Sequence, residues 1–222
     1  MNRDNNIRHI REKLLEWFEM HGRSFPWREE GFSNYKTIIT EILLQRTRAE
    51  TVAAYLPVFF NKYPDWDALA ETTREDLEII LKPLGLYRHR AARMMKIIEE
   101  YRERKGHLPR NKNELQESNL SSLYIANAYE LFVLNKRAPL LDVNMARVLA
   151  RYFGFPLAKD VRHDKVLQKL SRKVINVKKC TILNWAFLDF AALVCKSARP
   201  MCENCPLRKK CTYFQEVKSE LP

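Results

Sequence analysis

Glycine is scarce in this sequence, and the alternation of apolar and polar residues that marks β-strands is missing. Only five glycines occur among 222 residues, and no segment of useful length repeats with the two-residue period of a strand. Apolar residues recur instead at intervals of three and four, as in Leu183, Phe187 and Phe190. This spacing is typical of helices with one buried face, so the sequence predicts an all-α protein.

Long apolar runs are also missing. No stretch approaches the roughly 18 consecutive apolar residues of a membrane-spanning helix. Met1 is followed by Asn, Arg and Asp rather than by the apolar core of a secretion signal, so we expect a cytoplasmic, nucleoid-associated protein without a membrane partner. A chain of 222 residues with 46% hydrophobic content is long enough to bury a core of its own, and we expect a monomer.

Acidic residues are outnumbered by basic ones. The chain has 27 Asp and Glu against 39 Lys and Arg, a formal net charge of +12. A merely soluble basic protein is one interpretation, but a broad phosphate-contacting surface fits charge that is not confined to a tail. We therefore expect a polyanionic partner. The basic residues extend over the whole length, for example Arg46, Arg48, Arg88, Arg90, Arg93, Lys178, Lys179, Arg208, Lys209 and Lys210.

Four of the five cysteines, Cys195, Cys202, Cys205 and Cys211, lie within 17 residues in the pattern C-x6-C-x2-C-x5-C. Disulfides within so short a loop would be strained, so a shared metal centre is favoured. Zinc sites commonly combine two C-x2-C pairs and only one is present here, whereas an iron-sulfur cluster accepts four thiolates from one turn-rich loop. We favour the cluster, with zinc as the alternative. Cys180 lies in an apolar helical pattern and is interpreted as a core thiol.

Two acidic residues have ambiguous surroundings. Glu41 is flanked by aliphatic residues, and on this segment alone an exposed side chain is the simpler interpretation. The alternative is a pocket that raises its pKa. Helical spacing aligns it with Gln45 and, one turn further, with Arg48. Asp142 directly precedes a helical pattern and is interpreted as its N-cap, a position from which a carboxylate can also catalyse.

Five segments in this order resemble the helix-hairpin-helix DNA glycosylases that carry a C-terminal iron-sulfur loop, the superfamily of endonuclease III and the adenine glycosylases. Each segment is weak alone, but all five in register over nearly the whole chain are specific, and the closest resemblance is to the thymine-mismatch branch. The segments are Phe25–Arg28, Thr40–Thr47, Leu84–Tyr87, Leu141–Asn144 and the four-cysteine loop.

The resemblance implies a fold of two helical lobes with a DNA-binding cleft between them. One lobe would be a six-helix barrel over residues 30–136, including the hairpin. The other would combine residues 1–29 with 137–222 and hold a [4Fe-4S] cluster on the four cysteines. The implied partner is double-stranded DNA with a mismatched or damaged base.

The resemblance also implies catalytic roles. Glu41 and Asp142 would act on a nucleotide that is flipped out of the duplex. Asp142 would stabilise the positively charged sugar and orient or deprotonate water, while Glu41 would protonate the leaving base. Strand-cutting relatives have a catalytic lysine at the position of Tyr124, so this chain resembles the monofunctional members. The alternative is that Tyr124 only packs within its helix.

The implied DNA contacts come from several loops. Gln45 and Tyr87 match positions that insert into the base stack, and Arg46 could read the orphaned guanine. Asn144, in the segment of Asp142, is a further contact.

The family's hairpin has a Gly-x-Gly, but here Leu120 and Ser122 stand at those two positions. A positive φ would strain Leu120, so we expect a reshaped turn. Phosphate would then be contacted by the side chains of Asn119, Ser121 and Ser122.

Together these features predict a monofunctional DNA glycosylase of base excision repair that removes thymine or uracil opposite guanine. The first alternative is an adenine glycosylase that acts opposite 8-oxoguanine or guanine, with which Gln45 is shared. Such enzymes normally carry a further C-terminal domain, whereas this chain ends eleven residues after Cys211. The second alternative is a catalytically weak iron-sulfur DNA-binding protein, which the altered hairpin favours.

Overall fold

The computed structural model describes residues 3–157, 160–161 and 164–219. All regular structure in these ranges is helical, which confirms the all-α prediction. None of the described helices combines the length and apolar character needed to cross a bilayer. The α-helices are α1 Arg3–His21, α2 Asn34–Leu44, α3 Ala49–Lys62, α4 Trp66–Ala70, α5 Arg74–Leu81, α6 Tyr87–Glu103, α7 Lys112–Gln116, α8 Leu123–Phe132, α9 Val143–Phe153, α10 Lys165–Ile175, α11 Cys180–Leu193 and α12 Thr212–Ser219, with short 3-10 turns at Pro26–Arg28, Lys82–Leu84 and Arg208–Lys210.

The chain divides into two compact units, each with its own hydrophobic core. The terminal unit consists of Met1–Arg23 and Arg137–Pro222, and the middle unit is Ser24–Lys136. Phe25 and Trp27 follow the first boundary, are buried in the core of the middle unit and stack with ring centroids 4.5 Å apart. The middle unit therefore begins before its first long helix.

In the middle unit, α2 is buried on almost every side. Ser33 caps its N-terminus by accepting a hydrogen bond from the amide of Lys36. Residues 37–43 are all buried, so Thr37, Thr40 and Glu41 lie inside the unit although they are polar. A helix segment enclosed on all sides belongs to a core, where its packing outweighs the modest helix propensity of its three isoleucines.

In the terminal unit, α1, α9, α10 and α11 supply most of the core. Trp17 of α1 meets Phe190 of α11 edge to face at 5.2 Å between ring centroids. The fully buried Asn184 of α11 accepts the amide of Leu140 at 2.7 Å and donates to the carbonyl of Ala138 at 3.0 Å. These bonds fix the chain just before α9.

A buried ion pair links the end of α1 to α11. Asp189 is fully buried and accepts the backbone amide of Arg23 at 2.8 Å and its guanidinium Nε at 2.9 Å, with Nη2 also at 2.8 Å. Two guanidinium nitrogens at Oδ1 and a backbone amide at Oδ2 together compensate part of the desolvation of both charges.

We expect Arg23→Ala to destabilise the protein by about 3 kcal/mol, because it leaves the carboxylate of Asp189 in the core without its cationic partner. Urea unfolding followed by circular dichroism measures the change. Lys13→Ala is the matched control, since it removes an exposed pair with Glu16 and should cost less than about 1 kcal/mol. Equal losses for the two variants would contradict this account of Asp189.

Candidate active site and thiol-lined cavity

Glu41 lies in the last turn but one of α2 and is only 3% exposed. The exposed position that its own segment favoured is therefore wrong, because α2 is enclosed by the middle unit. The hydroxyl of Tyr124 in α8 donates to Oε2 of Glu41 at 2.8 Å. Tyr124 also packs against the apolar core, so the packing role and the polar role occur together. A phenol donor thus holds one oxygen of a buried carboxyl group.

Asp142 is the N-cap of α9, as its position in the sequence predicted. Its Oδ1 accepts the amides of Asn144 at 2.9 Å and Met145 at 2.8 Å, and its Oδ2 accepts the side-chain amide of Asn144 at 2.6 Å. Burial raises the pKa of the Asp142 carboxyl above its ordinary value, while these three hydrogen bonds oppose the rise. The carboxylate is thus rigidly oriented at a helix N-terminus, where the helix dipole favours a negative charge.

Arg147 extends this arrangement towards the cysteine loop, and sequence reasoning did not identify it. Its Nη2 donates to Oδ1 of Asn144 at 3.1 Å, and its Nε donates to the carbonyl of Cys195 at 2.9 Å. A continuous hydrogen-bonded path therefore runs from Asp142 through Asn144 and Arg147 to the first cysteine. The available signal was the i,i+3 spacing of Asn144 and Arg147 on one helix.

The thiols of Cys195, Cys202, Cys205 and Cys211 line one cavity. None of them forms a disulfide. Among the described residues, no three potential ligands converge on the position of a single metal ion. Cys180 is outside the cavity and packs against the core of the terminal unit.

Positive charge is needed in this cavity if the thiols ionise together. Burial raises the pKa of Cys205 to about 12, and burial together with neighbouring thiols raises the pKa of Cys202 and Cys211. Arg151 supplies some of the charge, because its Nη1 lies 3.5 Å from Sγ of Cys195. Four thiols in one cavity that Arg151 and Arg208 also line, with no disulfide, are a donor set that fits an iron-sulfur cluster, whose iron ions would stabilise the thiolates.

Gln45 and Arg46 form the turn after α2, and a buried arginine fixes its main chain. Arg46 is exposed and has a φ of 60°. Arg90 is 6% exposed and donates to the carbonyls of Leu43 at 3.0 Å and Gln45 at 2.8 Å. Because it is occupied inside the middle unit, Arg90 is not part of the phosphate-contacting surface that its charge suggested. It satisfies the carbonyls left without partners at the end of α2.

The turn before α6 is fixed by the same arginine, since Arg90 also donates to the carbonyl of Gly85 at 3.0 Å. Gly85 has a φ of 71°, and Leu86 follows with a φ of 51° although it is a leucine. A leucine in the left-handed region has a strained backbone. Leu86 is also 48% exposed, so burial of its side chain does little to offset the cost of that strain. Tyr87 begins α6 half-buried, with the guanidinium of Arg88 5.6 Å from the centre of its ring. Sequence reasoning identified Tyr87 but missed Leu86.

The hairpin between α7 and α8 is reshaped, as expected. No residue between Gly106 and Asn135 has a positive φ, so the strain considered for Leu120 does not arise. Ser118 closes the turn instead, because its hydroxyl accepts the amide of Leu120 at 3.1 Å and donates to the carbonyl of Leu115 at 3.0 Å.

The three polar side chains assigned to phosphate differ in their surroundings. The side-chain amide of Asn119 donates to the carbonyl of Lys96 at 3.0 Å. Ser121 is exposed. Ser122 is also exposed, and its hydroxyl accepts a hydrogen bond from Arg93 at 2.5 Å. The outer side of the turn therefore presents the two serines.

Comparison with known proteins gives the family. Residues 39–182 match the family described as HhH-GPD superfamily base excision DNA repair protein. A thymine/uracil-DNA glycosylase of Methanothermobacter thermautotrophicus is 30% identical over 210 residues, which cover 93% of each chain.

Two further similarities concern the fold and a second group of relatives. The structure of a thermostable thymine-DNA glycosylase superimposes with a TM-score of 0.86 and 28% identity, over 96% of this chain and 98% of that one. The adenine DNA glycosylase of Mus musculus is 29% identical over 94% of this chain but only 42% of its own length.

We expect Asp142→Asn to be more stable than the wild type at neutral pH. A carboxyl group whose pKa is raised by folding stabilises the protein fully below its unfolded pKa of 3.8, and this contribution is lost as the pH rises through the folded pKa. Asparagine caps a helix about as well as aspartate, so the cap is kept. Urea unfolding between about pH 4 and pH 7.5 measures the difference, which should shrink as the pH falls. A difference that is independent of pH would contradict the expectation.

Proposed function

The chain belongs to the HhH-GPD superfamily of base excision DNA repair proteins, and on this basis we propose that it is a monofunctional DNA glycosylase. Its substrate is duplex DNA that carries thymine or uracil opposite guanine. The similarity over full length to a thymine/uracil-DNA glycosylase and to the structure of a thymine-DNA glycosylase supports this choice of base.

The observation that carries the proposal is the hydrogen bond from Tyr124 to Glu41. A lysine at position 124 would attack the sugar and form a Schiff base, which leads to strand cleavage. A tyrosine bound to a buried carboxyl group has no amine for that reaction. Water is then the nucleophile, and the product is an abasic site in an intact strand.

Asp142 and Glu41 divide the chemistry between them. Breaking the bond between deoxyribose and base places positive charge on the sugar and negative charge on the leaving base. Asp142, whose three hydrogen bonds favour its ionised form, stabilises the sugar cation and orients the attacking water. Glu41, with Tyr124 as its donor, delivers a proton to the base.

The exposed loops would hold the duplex. Arg90 fixes the end of α2, which Gln45 follows, and the start of α6, which Leu86 precedes and Tyr87 begins. From these two helix ends the three side chains would enter the base stack and occupy the space of the flipped nucleotide. Arg46 would read the orphaned guanine. Asn144, beside Asp142, would make a further contact with the DNA. Asn119, Ser121 and Ser122 of the hairpin approach the phosphates.

The terminal unit would be the cluster domain and the middle unit the barrel domain with its hairpin. Cys195, Cys202, Cys205 and Cys211 would hold a [4Fe-4S] cluster, supported by their shared cavity and their spacing. Such a cluster holds the loop in one conformation and supplies positive charge to the thiolates. Arg147 then connects that loop with Asn144 and Asp142.

The proposed activity is tested with purified protein and duplexes that carry G:T, G:U, A:8-oxoguanine, A:G or thymine glycol. Each sample is divided and analysed with and without hot alkali. We expect cuts at G:T and G:U only after alkali, because the enzyme leaves the strand intact. Asp142→Asn should lower the rate by about 100-fold or more. Asp164→Asn is the matched control, since Asp164 caps α10 in the same way and should retain full activity.

The other outcomes identify the alternatives. Cuts at A:8-oxoguanine would favour an adenine glycosylase, which the similarity to the mouse enzyme makes the second candidate. Strand cleavage without alkali would contradict the role given to Tyr124. Duplex binding without release of any base would favour a DNA-binding protein that lacks catalysis.

The cofactor is tested on the same preparation. We expect a brown protein with broad visible absorption that contains iron and acid-labile sulfide. Cys202→Ser should bleach that absorption and lower the unfolding temperature, whereas Cys180→Ser, outside the cavity, should leave the absorption unchanged. A colourless protein that contains zinc would contradict the cluster.

A further inference from the structure

Arg93, in the first half of α6, bridges two loops that are far apart in sequence. Its Nη1 donates to Oε1 of Gln45 at 2.5 Å, 48 residues away, and its Nη2 donates to the hydroxyl of Ser122 at 2.5 Å, 29 residues away. Gln45 is the C-cap of α2 and Ser122 is the N-cap of α8. One planar side chain thus holds the ends of two helices.

The two side chains to which Arg93 donates these hydrogen bonds carry no charge, since they are the amide of Gln45 and the hydroxyl of Ser122. By contrast, the guanidinium of Arg104, the C-cap of the same helix, has an acidic partner, since its Nε lies 2.9 Å from Oε1 of Glu100. Burial lowers the pKa of Arg93. A partly desolvated guanidinium whose side-chain partners are a neutral amide and a hydroxyl retains a strong preference for an anion.

The two contacts of Arg93 act on side chains rather than on the main chain. Arg90, one turn earlier, already holds the carbonyl of Gln45. Arg93 therefore determines only where the side chain of Gln45 points. At Ser122, its hydrogen bond engages the hydroxyl, which does not cap α8.

The hairpin rests against α6 at two further places. The amide of Asn119 donates to Oε2 of Glu100 at 2.6 Å, and its side chain donates to the carbonyl of Lys96. Arg93, Lys96 and Glu100 follow one another at intervals of three and four residues, so they lie on one face of α6. A displacement of the hairpin is therefore felt at Arg93, whose other arm holds Gln45.

We propose that Arg93 is a positioning residue that couples contact of the hairpin with DNA to the orientation of Gln45 for entry into the base stack. The inference rests on the proposed function for the DNA roles of Gln45 and Ser122. A phosphate that approaches Ser122 is a better acceptor than a hydroxyl, so it anchors Nη2 of Arg93. Nη1 of the anchored guanidinium then holds the side chain of Gln45 in the orientation from which it enters the stack.

The test is a pair of double-mutant cycles, Arg93 with Gln45 and Arg93 with Ser122, each by substitution with alanine. Two quantities are measured on a G:U duplex, the dissociation constant and the excision rate at saturating protein. 2-Aminopurine beside the mismatch reports unstacking by its fluorescence, whether or not a base is released. Thermal unfolding of every variant gives the stability separately.

We expect Arg93→Ala and Gln45→Ala each to slow excision and unstacking about tenfold, and the double variant to be within about twofold of the slower single variant. Arg93→Lys keeps the charge but lacks the planar fork, so it should bind DNA nearly as well as the wild type and still unstack slowly. Because lysine preserves the charge, this variant serves even if Arg93→Ala fails to fold.

Arg102→Ala is the matched control, since it removes the same charge from the same helix and the Arg102 guanidinium donates to the carbonyl of Ala70. In the double variant with Gln45→Ala, the separate effects of the two substitutions on the excision rate and on unstacking should multiply.

Multiplicative effects of Arg93→Ala and Gln45→Ala, or full recovery by Arg93→Lys, would overturn the coupling. If the variants change unstacking in the non-additive way expected but no base is released from any duplex, the coupling is supported and the proposed function is refuted. Failure of the wild type to bind or unstack the mismatched duplex would overturn both.

Discussion

Every helix end leaves backbone amides or carbonyls without partners, and in this all-helical protein that constraint places the functional residues. Asp142 is the cap of α9, Gln45 ends α2, Ser122 precedes α8 and Tyr87 begins α6. The cysteine loop lies between the end of α11 and the start of α12. Side chains at these positions are oriented by the helix ends that they adjoin, and their exposure ranges from the half-buried Asp142, Gln45 and Tyr87 to the exposed Ser122.

At Asp142 the helix cap and the proposed chemical role use the same arrangement of hydrogen bonds. The same amides that need a cap at the start of α9 also orient the carboxylate and favour its charge, while burial opposes that charge. A group held between these opposing effects is costly in a folded protein. Such a cost is expected where a charge must be ready for a reaction rather than solvated by water.

The arginines of this chain serve the interior as well as the surface. Arg90, Arg147 and Arg151 donate mainly to main-chain carbonyls of turns and of the cysteine loop. A guanidinium group has several donors in one plane, so it can hydrogen-bond to carbonyls that have no partner within a helix. Part of the basic composition that indicates a polyanionic partner is thus used to shape the loops that would meet it.

The sequence by itself determined the helical class, because the spacing of apolar residues follows the period of a helix whatever packs against it. It also determined the cap of α9 and the grouping of four thiols, since both depend on residues that are close in the chain. Only the tertiary structure decided that Glu41 is buried beside Tyr124, that Leu86 is strained and exposed, and that Arg93 joins Gln45 to Ser122. These features depend on contacts between residues 29 to 83 positions apart or on a turn held from another helix, and no local pattern specifies which helix faces will meet.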